Sequence, residues 1–307
     1  MKIKCLRHAL CYRHSDTLRQ NAGHPVLRPL MTDPRPTSDA ARAIAAAALG
    51  RDPGPMAAAE SISHHVYVGS DVVVKIIDAG RHSRLDREIA LAPHLPDGIT
   101  APLLASGRQD DVRYACYARV PGTTPGMHLP DIDAATARAL TEQAVERLHR
   151  LHAWQPAGDA EKTLSEPLDH GGFTGQDEFR AEIADRAPRT AGAKVPAHAD
   201  CHWGNWLAAG DTVTALLDFE WARLGEPVDD WFFLIRFSGP HAAAVLEIVA
   251  ETMPEDELRA ACEVREASYM ASDVRLTLED DPRAGTGTIA RLEELIVGRY
   301  WHRSSRA

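Results

Sequence analysis

A lysine stands inside an otherwise apolar run, Val72-Val73-Val74-Lys75-Ile76-Ile77, in a chain of 307 residues that holds only five lysines. Five of those six residues are β-branched, so the run predicts a strand. Burying an unpaired ammonium is very costly. The amine must therefore reach water from a sheet edge with its stem laid on apolar surface, or meet a carboxylate inside the fold. Taken alone, Lys75 reads as the edge-strand lysine. Residues 81–95 place Leu85, Ile89, Ala92 and Leu95 at roughly helical spacing, and that helix carries Glu88.

The surrounding pattern gives an order of elements. Thr37 to Leu49 is alanine-rich, begins at a good N-cap and stops at Gly50, which predicts a helix. Residues 61–68 read as a strand and Gly69-Ser70-Asp71 as a turn, so the lysine strand closes a hairpin. Residues 112–120 form another strand, after which Pro121-Gly122-Thr123-Thr124-Pro125-Gly126 breaks the chain. Beyond the break, Ile132–Trp154 is a long amphipathic helix and a short helix is expected near 176–187. Residues 195–220 hold two short strands around an Asn/Gly loop, and the pattern is helical from His241 on, broken near Asp280-Asp281-Pro282. The expectation is an α+β chain with a small strand-rich lobe over 31–120 and a larger helical lobe over 121–307.

Charge and cysteine usage exclude several classes. With 34 Lys+Arg against 44 Asp+Glu the net is −10, which argues against a general nucleic-acid or anionic-membrane binder. Residues 1–30 carry six basic side chains against Asp16 alone, net +5, which leaves −15 for the rest. This basic extension is set outside the fold, with Met31 reading like a second start. The five cysteines lack a C-x-x-C pair, so a disulfide framework or thiolate zinc site is not expected. With no apolar run near ~20 residues and no signal-peptide core, a cytoplasmic protein is expected.

The densest polar cluster is His198-Ala199-Asp200-Cys201-His202-Trp203-Gly204-Asn205, followed by Leu217-Asp218-Phe219-Glu220. In a loop, an Asp five residues before an Asn can present both side chains to one point, and an Asp ending an apolar strand can join them. Phosphoryl transfer needs one carboxylate to orient a hydroxyl, and an amide and a second carboxylate to hold magnesium. On a strand, His198, Asp200 and His202 would instead share one face and bind zinc or iron, as in a metallohydrolase. That alternative leaves Lys75, Glu88, Asn205 and Asp218 without a role.

These motifs resemble the aminoglycoside phosphotransferase and choline-kinase-like small-molecule kinases, whose signature reads His-Gly-Asp-Leu-His-x-Gly-Asn followed by Ile-Asp-Phe/Trp-Glu. Ala199 and Cys201 replace the usual Gly and Leu, and Trp203 stands where Pro is common. The resemblance implies a bilobal protein-kinase-like fold, with Asp200 as catalytic residue and Asn205 and Asp218 as Mg2+ ligands. It implies that His198 and His202 brace the loop, and that Lys75 paired with Glu88 holds the α/β-phosphates of ATP. Ser63 would lie in the phosphate-covering hairpin, and the backbone at Ala118 and Val120 would bind adenine, with GTP left open. The final Asp of Gly225-Glu226-Pro227-Val228-Asp229-Asp230 is then structural. Acid-rich stretches at 156–190 and 239–307 suit a cationic hydroxylated acceptor, an aminoglycoside or a basic cyclic peptide of the viomycin and capreomycin type. The implied activity is antibiotic O-phosphorylation giving resistance. Metabolic acceptors such as choline, homoserine or a sugar are the alternative.

Overall fold

The computed structural model describes residues 36–61, 63–81, 83–126, 132–168, 193–280 and 301, with no side-chain description at 267–268 and 270–280. The basic extension 1–30, Met31, the short helix expected near 176–187 and the acidic stretch 169–190 lie outside the described residues.

Helix α1 (Ser38–Leu49) starts where the Thr37 hydroxyl accepts the Ala40 N–H at 3.1 Å and stops at Gly50 in the left-handed region, φ 68°. It packs Ala41, Ile44 and Ala45 against a five-stranded antiparallel sheet. The strands are β1 (Ala57–Ala59), β2 (His65–Val68), β3 (Val72–Asp78), β4 (Leu103–Gln109) and β5 (Val112–Ala118), in the spatial order β1-β2-β3-β5-β4. The lysine strand β3 is therefore central. Lys75 pairs in register with Val66 on one side and Ala115 on the other, which overturns the edge-strand reading taken from the residue alone.

Two strands of this sheet were not expected. Strand β1 is Ala-Ala-Ala, a composition that favours helix, and it is recruited as a strand by pairing with β2. Strand β4 is half-exposed at the sheet edge and carries Gly107 and Arg108, so its apolar alternation is weak. Helix α2 (Arg84–Leu91) packs against β5 and the turn at 219–221 and buries Leu85, Glu88 and Leu91.

The second lobe is built on α3 (Ala134–Ala153), whose N-cap Asp133 accepts the Thr136 N–H at 2.9 Å. The short α4 (Asp159–Ser165) follows. Between 193 and 225 the chain makes three strands before the Asp218 turn closes and one after it. These are β6 (Val195–Ala197), β7 (Trp206–Ala209), β8 (Thr212–Leu216) and β9 (Arg223–Gly225). The expectation of two strands around the Asn205 loop missed the tight Gly210-Asp211 turn that folds β7 onto β8; β6 pairs with β9 instead. Helices α5 (Val228–Arg236), α6 (Ala242–Ala250) and α7 (Glu255–Asp280) complete the lobe. Its core joins Leu140, Leu148, Trp203, Trp206, Trp231 and Phe232, so these tryptophans are packing residues, Trp203 stacking on Trp206 at 4.4 Å.

Candidate active site

The site forms where three backbone devices aim polar side chains at one cleft. The first is the central strand. Lys75 Nζ donates to Glu88 Oε1 at 2.9 Å and Oε2 at 2.8 Å, and to Asp218 Oδ1 at 2.8 Å. Burial alone would push the amine towards neutrality, but the two carboxylates overcome it and raise the Lys75 pKa above its ordinary value. The same contact with Lys75 holds Asp218 below the usual carboxylate range against the opposing effect of burial. Burial pushes the Glu88 carboxyl up.

Glu88 is held in place by its neighbour. The Arg87 guanidinium, itself buried, donates to the carbonyls of Thr163 (2.6 Å), Ala222 (3.0 Å), Glu166 (2.9 Å) and Pro167 (3.1 Å). One side chain thereby ties the helix carrying Glu88 to two segments of the second lobe.

The second device is the loop 198–205. Asp230, wholly buried at the start of α5, accepts the backbone N–H groups of Ala199 at 2.6 Å and His198 at 3.1 Å, and meets His152 Nε2 at 2.8 Å. His198 Nε2 lies 2.7 Å from the Leu217 carbonyl, and His202 Nδ1 accepts the Gly204 N–H at 3.0 Å. Both histidines thus brace the loop. His202 Nε2 also lies 3.9 Å from Asp200 Oδ1, but His198, Asp200 and His202 do not converge as one ligand set: among the described residues, the group able to converge on one ion is His64, Asp218 and Glu220. The zinc or iron reading of His198, Asp200 and His202 is thereby corrected, because the segment is a loop and His198 spends Nε2 on a carbonyl.

The loop turns through Ala199 at φ 62° and so delivers Asp200 beside Asn205. Asn205 Nδ2 donates to Asp200 Oδ2 at 3.0 Å and to its carbonyl at 2.9 Å. Burial, then the Asp218 carboxylate, pushes the Asp200 carboxyl well above its ordinary range. The third device is the turn after β8, where Asp218 itself adopts φ 69°, ψ 56°. A non-glycine residue held there costs of order 1 kcal/mol or more, and such costs concentrate at functional sites. The Leu217 N–H donates to the Asn205 carbonyl at 2.7 Å and couples the two segments.

The remaining expected residues are Ser63, Ala118 and Val120. Ser63 Oγ lies 2.9 Å from His64 Nδ1, just before β2. The Ala118 N–H is spent on the Pro102 carbonyl at 2.8 Å, so only its carbonyl could serve a base; Val120 N–H donates to no group among the described residues. Residues that sequence reasoning did not single out are His64, Arg84, Arg87 and His152. His64 Nε2 lies 3.4 Å from Glu220 Oε2 and Arg84 Nε 3.6 Å from Glu220 Oε1. Burial, reinforced by Asp218, pushes the Glu220 carboxyl up. The adjacent His64-His65 pair was the one available sign, and it reads equally as strand.

Several acids of the second lobe are neutralised within the chain. Arg265 pairs with Glu226 and, at 3.0 Å, with Asp229; Arg236 lies 3.0 Å from Glu266 and Arg259 2.7 Å from Glu255.

Residues 57–258 match the model of a phosphotransferase enzyme family. Among solved structures, the GDP and kanamycin complex of APH(2")-IIia is 20% identical with a TM-score of 0.61, over 80% of this chain and 93% of that one. A ternary complex of a thermostable APH(4)-Ia mutant with AMP-PNP and hygromycin B is 16% identical with a TM-score of 0.59, over 83% and 97%. The streptomycin-ATP complex of APH(2")-IIa is 15% identical with a TM-score of 0.54, over 71% and 84%. No curated protein sequence matches the chain. The structural likenesses establish the bilobal α+β, protein-kinase-like fold.

Proposed function

The chain belongs to the phosphotransferase enzyme family, and we propose that it moves the γ-phosphoryl group of ATP to a hydroxyl of a small cationic antibiotic, an aminoglycoside or a basic cyclic peptide. The observation that carries this reading is the convergence of Lys75 and Glu88 from the first lobe with Asp218 from the second, beside the Asp200–Asn205 pair. Residues 31–120 act as the nucleotide lobe and 121–307 as the catalytic and acceptor lobe.

The donor set suits a hard cation: an amide and a carboxylate offer oxygen ligands, and Asp218 is ionised well into the acid range. Asn205 and Asp218 would hold Mg2+, which would supply positive charge to offset the negative charge of the phosphoryl group in transfer. Lys75 turns from Asp218 to the α/β-phosphates while Glu88 keeps its amine oriented. Asp200 accepts a hydrogen bond from the acceptor hydroxyl and aligns its oxygen with the γ-phosphorus. The oxygen–hydrogen bond gives its proton to Asp200, a phosphorus–oxygen bond forms to the acceptor, and the bond to the departing ADP breaks. Because such transition states are loose, alignment contributes more than early proton removal.

The acceptor class draws support from the −15 net charge of residues 31–307. It also draws on the kanamycin, hygromycin B and streptomycin bound by the similar structures. Those structures carry GDP, AMP-PNP and ATP, so both ATP and GTP enter the test. We place the protein in the cytoplasm and assign it a resistance role. The test is nucleotide consumption with each of ATP and GTP against a panel of basic antibiotics, choline, homoserine and neutral sugars. Turnover of a basic antibiotic is expected; turnover confined to a neutral metabolite refutes the antibiotic acceptor.

A further inference from the structure

We infer that His64, Asp218 and Glu220 form a second cation position, one that takes a first-row transition dication such as Mn2+, Co2+ or Zn2+ without any nucleotide present. One ligand atom from each lies within 4.8 Å of the others. The spacing of the closest pair is informative. His64 Nε2 and Glu220 Oε2 stand 3.4 Å apart, longer than an ordinary N–H···O bond. It equals the ~3.4 Å that two donors keep on a tetrahedral ion with bonds of ~2.1 Å.

Two independent features point to an ion between them. Glu220 is 2% exposed, and its Oε2 has no hydrogen-bond partner among the described residues. A buried carboxylate oxygen in that condition is costly unless something cationic meets it. Meanwhile Ser63 Oγ lies 2.9 Å from the other ring nitrogen, His64 Nδ1. In the tautomer that donates from Nδ1 to this hydroxyl, Nε2 carries its lone pair towards Glu220, the arrangement by which metal-binding histidines are oriented.

Charge and chemistry select the ion. The carboxyl groups of Glu88, Asp218 and Glu220 outnumber the cations Lys75 and Arg84 that face them, so the cluster favours a further cation. Lys75 holds Asp218 Oδ1, and the second carboxylate oxygen serves the ion. An imidazole beside two carboxylates favours Mn2+, Co2+ or Zn2+ over Mg2+, which prefers oxygen ligands throughout. His64 enters from the hairpin of the first lobe and Asp218 and Glu220 from the turn of the second, so the ion ties the two lobes together. The inference stands apart from the phosphotransfer reading, since it concerns the nucleotide-free chain.

The experiment titrates the untagged full-length chain with Co2+ in the absence of nucleotide, following the visible absorption of the bound ion. One Co2+ per chain with an intensified visible band is expected, and His64→Asn and Glu220→Gln should each weaken its binding at least tenfold. Asn205→Ala should leave it unchanged, because Asn205 belongs to the nucleotide-dependent magnesium site. Absence of the band, or a band indifferent to both His64→Asn and Glu220→Gln, overturns the proposal, as does loss of binding in Asn205→Ala alone. Should either variant fail to fold, pulsed EPR of Mn2+ on the wild-type chain decides the matter. Coupling to one imidazole nitrogen supports the site and no nitrogen coupling refutes it.

Discussion

Replacing Asp230 by Asn tests whether a buried carboxylate sets the position of the loop 198–205. The change is nearly isosteric, so packing is preserved and only hydrogen bonding is altered. In the native chain Oδ1 accepts the Ala199 N–H, while Oδ2 accepts the His198 N–H and meets His152 Nε2. An amide has one acceptor end. If its NH2 replaces Oδ2, His152 can change tautomer and accept, but the His198 N–H then faces a donor. If it replaces Oδ1, the Ala199 N–H does. Either way one buried N–H is left unsatisfied, at about 1–3 kcal/mol, and the remaining bonds lose the strengthening that a charged acceptor gives. A total of about 2–4 kcal/mol follows. At roughly 2–4 °C per kcal/mol for a fold of this size, Asp230→Asn should melt about 4–16 °C below wild type. Because both amides immediately precede Asp200, turnover should fall more steeply than nucleotide affinity. Thermal unfolding by circular dichroism together with nucleotide titration provides the assay. A melting temperature within 1–2 °C of wild type, roughly the shift of under 1 kcal/mol, would refute the reasoning.

Further outcomes follow from single residues. Ala199→Gly should raise the melting temperature, because the left-handed backbone at φ 62° costs Ala ~1–2 kcal/mol, more than the ~0.5–1 kcal/mol of chain entropy that Gly adds; a lower melting temperature contradicts it. The folded-state pKa of Asp200 lies above its unfolded value, so the carboxyl's contribution to stability is complete below about pH 4 and is lost as pH rises through the folded pKa. Asp200→Asn should therefore stabilise the nucleotide-free chain more at pH 8 than at pH 5, and a difference that grows towards acid pH refutes this. Burial pushes the Cys116 thiol up to about 11 and the Cys201 and Cys262 thiols up as well. In a C5S/C11S variant, Ellman's reagent at pH 8 should thus report no reactive thiol until denaturant is added.

Much of the site could be read before the fold because its residues are separated by short, fixed intervals. Asp200 and Asn205 lie five apart in one loop and Asp218 ends an apolar strand, so their short spacing made them legible as one cluster. Lys75 announced itself through its apolar surroundings, and the α+β order followed from the hairpin, the long helix and the Pro/Gly break. What escaped depends on contacts distant in sequence. Arg87 holds carbonyls between 76 and 135 residues away, and His64 meets Glu220 only once both lobes have closed. No local pattern encodes such pairings. The central position of β3 was also hidden, since it depends on β5 pairing with it from far along the chain, Lys75 against Ala115.

The most direct test measures transfer by the wild-type chain and by Asp200→Ala, using MgATP and whichever acceptor the panel yields, with nucleotide affinity determined in parallel. The acceptor should gain one phosphoryl group with wild type and none with Asp200→Ala, while both bind nucleotide within about threefold of each other, since the proposed reading sets Asp200 against the acceptor rather than ATP. Near-normal transfer by Asp200→Ala would contradict the account.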